Sequence, residues 1–316
     1  MKIVYLDGYT LNHGDLDWAA LLSIGDVKIY DRTSHEEIIE RAKDAEVILT
    51  NKQPLNRLII NELSNLKYIG VTATGYNCVD VAAAKERGIT VTNVRGYSTE
   101  SVAQHTFALI LALTNRLIEH IPDVAETWAF QKDFCYYRTP LRELSGKTLG
   151  IIGLGDIGKK TAEIAMAFGM KVIATRRDFS KEKPEKIELF SLEDLLKNSD
   201  FVSLHCPQTA DNQGFMNKKT FSLMKQTAYL INTSRGGLIN EKDLADSLNE
   251  GKIAGAGLDV LTTEPPEKNN PLLAAKNCLI TPHQAWASLE ARERLLKIVV
   301  ENIKAFQAGK PQNVVS

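Results

Sequence analysis

Three ionisable side chains in the second half of this 316-residue sequence each follow a strand-like apolar run. Arg235 follows AYLIN in the turn TSRGG, Glu264 lies shortly after GAGLDV, and His283 follows CLITP directly. An arginine can bind a carboxylate through two parallel hydrogen bonds, and a histidine can exchange a proton with a hydroxyl or carbonyl oxygen near neutral pH. A carboxylate beside that histidine would fix the imidazole and favour its protonated form. These side chains indicate acid–base chemistry on a small molecule that carries a carboxylate.

Each of these side chains also has a structural interpretation. Arg235 could pair with a surface acid, Glu264 could be a solvated loop residue, and His283 could cap a strand end. In open α/β sheets, however, ligands bind beyond the carboxyl ends of the strands, and all three residues lie there. Their joint position favours a catalytic role. His105, on a helical pattern, and His205, at a strand end, are weaker candidates.

A glycine-rich turn with the spacing GxGxxG lies upstream, at residues 153–158. Gly153 would permit the tight turn, Gly155 would let the backbone approach a pyrophosphate, and Gly158 would let the helix pack closely on the strand. The spacing alone is weak evidence, because any tight strand-to-helix turn can use glycines. Here TLGII precedes it, and KKTAEIAMAFG and the strand-like KVIAT follow, which is the context of a dinucleotide site. The predicted cofactor residues of this turn are Gly153, Gly155, Asp156, Ile157 and Gly158.

The end of the next strand bears on which dinucleotide is bound. It reads ATRRD, where an NAD site usually carries an acidic residue for the adenosine ribose. Arg176 and Arg177 could instead clamp a 2′-phosphate. The alternative is a pair of exposed arginines, with Asp178 binding the ribose of NAD. We expect NADP(H) and keep NAD(H) as the alternative, because Asp178 falls late in the turn.

Short apolar runs rich in valine and isoleucine alternate with helical patterns along the chain and would position these residues. Their lack of polar alternation predicts buried strands, and repeated βα units imply parallel sheets covered by helices. We therefore expect an α/β protein with two doubly wound, Rossmann-like domains. The predicted strands are residues 2–6, 27–30, 46–50, 66–71, 89–94, 149–152, 171–174, 201–205, 228–232, 255–260 and 278–281.

Two long helices and an irregular aromatic segment complete the pattern. The helices are predicted over residues 98–120 and 288–307. Residues 121–145 have little periodicity but contain Trp128, Phe130, Phe134, Tyr136 and Tyr137. This segment either docks against another domain or subunit or packs locally as a loop.

Composition limits the classes of function. The 38 Lys and Arg residues against 39 Asp and Glu leave a net charge of −1, which argues against binding of nucleic acid or of an anionic membrane. We see no signal-peptide core and no apolar run near the ~20 residues of a membrane span. The four cysteines are scattered, without a CxxC pair or metal-ligand spacing. We expect a soluble cytoplasmic protein that holds no metal.

An ordered set of motifs resembles the D-specific 2-hydroxyacid dehydrogenase family over essentially the whole chain. The motifs are ATGYNCVD (73–80), GLGDIG (153–158), HCPQT (205–209), INTSRGGLIN (231–240), GLDV (257–260), TEPP (263–266) and TPHQAWAS (281–288). Within the family, TNKQPL (50–55) and the tail GKPQNVV (309–315) are most similar to glycerate dehydrogenases, also called hydroxypyruvate reductases. One departure is Arg176, where many relatives carry an acidic residue.

The resemblance implies hydride transfer between NAD(P) and a small 2-oxo or D-2-hydroxy acid, with hydroxypyruvate and D-glycerate first and glyoxylate second. Arg235 would bind the carboxylate, His283 would protonate the carbonyl oxygen, and Glu264 would hold His283. Further substrate contacts would come from Ala73, Thr74, Gly75 and Trp286. Further cofactor contacts would come from Cys206, Pro207, Thr233, Ser234 and Asp259. The turn at residues 73–75 also has a plainer interpretation as a simple strand-to-helix connection.

The resemblance implies a domain organisation as well. Residues 99–286 would form the dinucleotide-binding domain, and residues 1–98 with 287–316 the substrate domain, with a cleft between them. Family members are commonly dimers joined through the cofactor domains, which gives residues 121–145 a role in a homodimer. Two alternatives remain: a dehydrogenase for another acid such as 3-phosphoglycerate, and a dinucleotide-sensing regulator on the same fold, as in C-terminal binding proteins.

Overall fold

The computed structural model describes residues 1–180 and 182–316, which divide into two compact units. One unit comprises Met1–Ser98 and Trp286–Ser316, and the other comprises Thr99–Ala285. Each unit has its own parallel sheet. No helix in the described ranges is long and apolar enough to cross a membrane.

The boundary near residue 286 differs by one position from the sequence prediction. We expected residue 286 in the dinucleotide-binding domain, but Trp286 belongs to the first unit. Its ring meets the ring of Tyr97 edge-on, with the centroids 6.3 Å apart, and packs on the apolar cluster of that unit. Trp286 therefore packs with the first unit.

The sheet of the first unit has five parallel strands in the order β2-β1-β3-β4-β5. The strands are β1 (Lys2–Tyr5), β2 (Asp26–Ile29), β3 (Val47–Thr50), β4 (Tyr68–Val71) and β5 (Thr90–Thr92), and the helices between them are α1 (Ala19–Leu22), α2 (Ile38–Ala42), α3 (Arg57–Glu62) and α4 (Val81–Glu86). Successive side chains of β3 and β4 enter opposite apolar clusters, so both faces are covered. The expectation of a buried strand near residue 27 is wrong, because β2 is an edge strand with alternate residues exposed.

The second unit has seven parallel strands in the order β12-β11-β10-β9-β6-β7-β8. The strands are β6 (Thr148–Ile152), β7 (Lys171–Thr175), β8 (Glu188–Leu189), β9 (Phe201–Leu204), β10 (Tyr229–Asn232), β11 (Gly255–Leu258) and β12 (Cys278–Ile280). The helices are α5 (Thr99–Thr114), α6 (Leu117–His120), α7 (Asp156–Ala167), α8 (Leu192–Asn198), α9 (Lys218–Phe221) and α10 (Glu241–Asn249). The final helix, α11 (Leu289–Gln307), lies in the first unit. The predicted class of two doubly wound parallel sheets is confirmed.

The long helix predicted over residues 98–120 is wrong in one respect. Helix α5 ends at Thr114, and Arg116 adopts a left-handed backbone conformation with φ of 53° before α6 begins. A left-handed residue cannot continue a right-handed helix. The break turns the chain toward residues 121–145, where the structure has one short 3₁₀ helix, Trp128–Phe130, among turns.

Candidate active site

The three predicted catalytic residues lie beyond the carboxyl ends of three neighbouring strands of the second unit. Asn232 of β10 is in register with Leu258 of β11, which is in register with Ile280 of β12. Arg235, Glu264 and His283 follow these strands in that order. Because the strands are parallel and adjacent, the loops that follow them all leave the sheet at the carboxyl ends of the strands.

His283 and Glu264 are in direct contact. The Nδ1 atom of His283 lies 2.6 Å from Oε2 of Glu264, and the two side chains are 29% and 36% exposed. Since an ionised carboxylate only accepts, Nδ1 donates this hydrogen bond. The Nε2 atom has no hydrogen-bond partner in the described part of the chain. The pair therefore presents one ring nitrogen to Glu264 and leaves the other for a ligand.

The turn that carries Arg235 packs directly against the loop that carries Glu264. A β-carbon at Gly236 would overlap the carbonyl carbon of Leu261, so only glycine allows this approach. The Leu261 N–H in turn donates to Oε1 of Glu264 at 3.0 Å. We did not predict Gly236 as a site residue. The signal in the sequence is the pair of glycines that directly follows Arg235.

Asn232 fixes the shape of the Arg235 turn. Its Oδ1 accepts from the Ser234 N–H at 3.0 Å and from the Ser234 hydroxyl at 2.9 Å, and its Nδ2 donates to the Arg235 carbonyl at 2.9 Å. Thr233 is hydrogen-bonded to Thr106 at 3.0 Å. Sequence reasoning missed Asn232, although an asparagine at a strand end before Thr-Ser is a typical turn signal.

The guanidinium of Arg235 remains accessible to a ligand. The side chain is exposed, and one N–H donates to the Ser234 carbonyl at 2.7 Å. A guanidinium carries five N–H donors in a planar fork that matches a carboxylate. Ser234 and Thr233 use their hydroxyls within the protein, and their contacts with a cofactor stay predictions.

Of the three glycines in the turn at residues 153–158, one leaves space for a bound pyrophosphate. Gly153 has φ of 102°, and a β-carbon there would lie 2.6 Å from the Cys206 nitrogen. A β-carbon at Gly158 would overlap the Gly153 carbonyl oxygen. Gly155 has no atom within 4 Å of its β-carbon position and caps α7, whose first turn holds Asp156. Two of these glycines therefore serve packing, and Gly155 borders open space at a helix N-terminus, where anions bind.

Arg176 has unused donors at the end of β7. Its Nη1 donates to the Glu182 carbonyl at 3.1 Å, but Nε and Nη2 are buried without a hydrogen-bond partner in the described ranges. Arg177 is exposed and lies 3.8 Å from Asp211, whereas Asp178 accepts from the Ser180 N–H and hydroxyl at 3.0 and 2.6 Å. Buried unpaired donors on a cation are costly, by about 1–3 kcal/mol each, so the site fits an added anion.

The residues after β9 form the wall behind the glycine turn. Burial lowers the pKa of His205 to about 4, and its Nε2 is bonded to the Ser203 hydroxyl at 2.8 Å. Burial also raises the pKa of the Cys206 thiol. Pro207 is exposed, and its carbonyl accepts from Asn212 at 2.9 Å. His205 is therefore neutral near pH 7, and cofactor contacts by Cys206 and Pro207 stay predictions.

The predicted substrate turn at residues 73–75 lies in the first unit. The Ala73 carbonyl accepts from the Val94 N–H at 3.0 Å, and the Thr74 hydroxyl donates to the Val94 carbonyl at 2.8 Å. The N–H groups of Ala73, Thr74 and Gly75 donate no hydrogen bond to any described residue. Consecutive unpaired N–H groups can bind an anion. The substrate roles of this turn and of Trp286 stay predictions.

Comparison with known proteins gives the family. A sequence model described as "D-isomer specific 2-hydroxyacid dehydrogenase, NAD binding domain" matches residues 107–285. The chain is 48% identical over 323 residues to the hydroxypyruvate reductase of Blautia hydrogenotrophica, with 100% of both chains covered. It is 41% identical over 318 residues to the glycerate dehydrogenase of Methylorubrum extorquens, with 99% and 98% covered.

A solved structure agrees with these matches. An acyclic imino acid reductase in complex with NADPH and D-Arg has a TM-score of 0.88 and 35% identity, with 100% of both chains covered. The resemblance that the sequence motifs indicated is confirmed. The chain belongs to the D-isomer-specific 2-hydroxyacid dehydrogenase family.

Proposed function

We propose that this chain reduces hydroxypyruvate to D-glycerate with a nicotinamide dinucleotide, and that glyoxylate is a second substrate. The observation that carries this proposal is the His283–Glu264 contact of 2.6 Å on the sheet edge that also bears Arg235. The relatives named hydroxypyruvate reductase and glycerate dehydrogenase, which the chain matches along almost its whole length, support this choice of acid.

Each of the three side chains has one task in this reaction. When bound, the reduced dinucleotide supplies the hydride for the carbonyl carbon of the substrate. Arg235 binds the substrate carboxylate through two N–H groups and thereby orients the carbonyl. Protonated His283 gives the Nε2 proton to the carbonyl oxygen, while Glu264 holds Nδ1 and stabilises the positive charge before transfer. In the oxidation direction, neutral His283 takes the proton back.

The substrate assignment is tested by a panel of acids. Initial rates are measured with hydroxypyruvate, glyoxylate, pyruvate and 3-phosphohydroxypyruvate at saturating cofactor. We expect the highest kcat/KM with hydroxypyruvate. A higher kcat/KM with 3-phosphohydroxypyruvate would change the substrate that we assign, but the proposed type of reaction would stand. Absence of turnover with every acid would overturn the proposal and favour the regulatory alternative.

We propose NADP(H) as the preferred cofactor, because of Arg176. Its two buried nitrogens without a partner in the described ranges could donate to a 2′-phosphate, and no carboxylate occupies its position. The solved neighbour in complex with NADPH is compatible with this choice. Binding of NAD(H) with Asp178 on the ribose is the alternative. Rates with NADPH and NADH, measured side by side with hydroxypyruvate, decide between them.

We propose that residues 121–145 form the contact of a homodimer. Phe130 and Phe134 are 82% and 88% exposed, yet the segment is braced internally. Arg138 donates two hydrogen bonds to Asp123 at 2.7 and 2.8 Å. A braced segment with exposed aromatic rings is typical of a protein interface. Light scattering on a Phe130→Glu, Phe134→Glu double variant should give a monomer, whereas Leu58→Glu, at an exposed site of α3, should leave the mass unchanged.

The expected cytoplasmic location stays a prediction from the sequence. The four cysteines are free thiols in the structure, which is compatible with a reducing compartment.

A further inference from the structure

We propose that His105, on helix α5, is a positioning residue that holds the loop carrying His283 in its working conformation. It acts through the Thr281 hydroxyl and the Asp259 carboxylate. The inference rests on the proposed role of His283 as proton donor. Neither His105 nor Thr281 touches the imidazole of His283 in the hydrogen-bond pattern, so their influence is indirect.

The loop after β12 holds His283 in an unfavourable backbone conformation. The φ of His283 is 50°, in the left-handed region, which costs a residue with a β-carbon about 1 kcal/mol or more. The His283 N–H donates to the Asp259 carbonyl at 2.8 Å and to the Thr281 carbonyl at 3.0 Å. Because this conformation is costly, the surrounding hydrogen bonds must select it.

The Asp259 carboxylate accepts hydrogen bonds from the backbone amides that follow His283. Its Oδ1 accepts from the Gln284 N–H and its Oδ2 from the Ala285 N–H, both at 2.9 Å. The residue is only 1% exposed, so its charge relies on these donors. We predicted a cofactor contact for Asp259 from the family resemblance. Its hydrogen-bond donors are all in the loop, and His105 Nε2 of α5 lies 3.5 Å from Oδ1, which gives the carboxylate a second task.

The Thr281 hydroxyl links this carboxylate to α5. Its oxygen lies 2.6 Å from Asp259 Oδ1 and 2.9 Å from His105 Nε2. A hydroxyl has one proton, which goes to the ionised Asp259. His105 must therefore carry its proton on Nε2 and donate it to Thr281. The chain of donors runs in one direction, from the helix through the hydroxyl to the carboxylate.

Helix α5 also holds the other end of the loop. Ser101, one turn before His105 and on the same helix face, donates to the Ala285 carbonyl at 2.6 Å. The loop is thus attached to α5 at Thr281 and at Ala285, on either side of His283. Thr106 of the same helix is bonded to Thr233 in the Arg235 turn. One helix therefore contacts the loops of both the proton donor and the carboxylate ligand.

The expected consequence is a loss of rate with little loss of binding. Proton transfer depends steeply on geometry, and a shift of about 1 Å in a catalytic group can cost on the order of 10²-fold. Loosening one end of the loop lets the imidazole move, whereas the ligands of the substrate carboxylate and the dinucleotide keep their places. The kcat should fall, and KM and cofactor Kd should change little.

The experiment uses matched substitutions at both ends of the link. Thr281→Val and His105→Leu remove the donors with little change of volume, and Thr281→Ser and His105→Gln restore them. Thr114→Val is the control, because this buried α5 threonine donates only to carbonyls of its own helix. We expect Thr281→Val and His105→Leu each to lower kcat about tenfold, with KM and cofactor Kd within about twofold. The restoring variants should recover most of this loss.

A second readout needs no turnover. Hydrogen exchange of the Gln284 and Ala285 amides, followed by mass spectrometry, reports whether the loop is held. We expect faster exchange in Thr281→Val and His105→Leu and wild-type protection in Thr281→Ser and Thr114→Val. Unchanged exchange and unchanged kcat would overturn the inference, as would equal losses in the Val and Ser variants. If wild-type protein turns over no 2-oxo acid, the proposed function fails, and exchange alone decides whether α5 holds the loop.

Discussion

The two units share a doubly wound parallel sheet but differ in the turn after the first strand. After β1 the chain enters a 3₁₀ helix, Gly8–Thr10, where a β-carbon at Gly8 would lie 2.7 Å from Ile29 Cγ2, and the next α-helix, α1, has four residues. After β6 the turn is open at Gly155, and α7 has 12 residues. A phosphate site at a helix N-terminus needs open space beside the free N–H groups of that helix. Dinucleotide binding is therefore a property of one turn and not of the fold.

The units are alike in how they fix their loops. Asp7, at the end of β1, accepts three N–H groups from residues 51–53 at 2.7 to 3.2 Å, and burial raises its pKa. Asp259, after β11, binds residues 281–285 in the same way but adds the Thr281 hydroxyl. Both carboxylates clamp the loop of a neighbouring strand. Only the second loop carries an imidazole, so the difference in chemistry comes from side chains placed on similar supports.

The largest expected effect follows from removing His283, the proton donor that we propose in the second unit. His283→Ala should lower kcat about 10²–10⁴-fold, because proton donation to the carbonyl oxygen disappears. Cofactor affinity, measured by fluorescence titration, should change little. His35→Ala, at an exposed site of the first unit, is the control and should keep full activity. Near-normal turnover in His283→Ala would remove the role that we assign to this histidine.

The next effect concerns Arg176. Arg176→Gln should lower kcat/KM with NADPH about 10–100-fold, since hydrogen bonds to a charged group contribute about 1.5–3 kcal/mol. The value with NADH should change much less. Arg177→Gln is the matched control, because that side chain is exposed and its ion pair with Asp211 is 3.8 Å long. An unchanged ratio between the two cofactors would make Arg176 a surface residue without a role in selection.

A pair of glycine substitutions tests the comparison of the two turns directly. Gly155→Ala places a methyl group in open space, so we expect unchanged thermal stability and cofactor binding weakened about tenfold. Gly8→Ala forces a shift of Ile29, so we expect a loss of about 1–3 kcal/mol in stability and normal cofactor affinity. Calorimetry and fluorescence titration measure the two quantities. If both variants lose stability and both keep normal cofactor affinity, the open turn at Gly155 is not a ligand site.

Much of the fold was predictable because buried parallel strands are continuous apolar runs. Strand β3, with all four residues buried, is an example. Strand β8 was missed because its two residues carry no periodicity. The helix break at Arg116 was missed because a left-handed arginine has no sequence signal. Very short strands and residues in left-handed backbone conformations are therefore the parts of the fold that the sequence does not predict.

The placement of some candidate site residues was predictable, because they directly follow strands. Arg235 and His283 follow β10 and β12 as expected, and their catalytic roles stay predictions. The residues that hold the site loops in place were not predictable, because they act through contacts between positions that are distant in sequence. His105 and Thr281 are 176 positions apart, and His105 lies on a helix whose pattern indicates only core packing. Such a link becomes visible only when the fold brings the two together.

The smallest effect at neutral pH is expected from His205, which has no counterpart in the first unit, where His13 and His35 are exposed. Burial lowers the pKa of His205 from 6.5 to about 4 in the folded state. Between these values the unfolded chain binds a proton that the folded chain does not, so stability falls as pH drops from about 6.5 to about 4 and is unaffected above that window. Hydrogen exchange at pH 7 and pH 5 should show the second unit opening more readily at pH 5, and His205→Gln should reduce that difference. An equal response in wild type and variant would assign the acid sensitivity to other groups. His205 lies directly behind the glycine turn, because its carbonyl carbon would lie 2.6 Å from a β-carbon at Gly153. With an equal response, His205 would add nothing to the difference between the units, and the comparison would depend on the turns after β1 and β6.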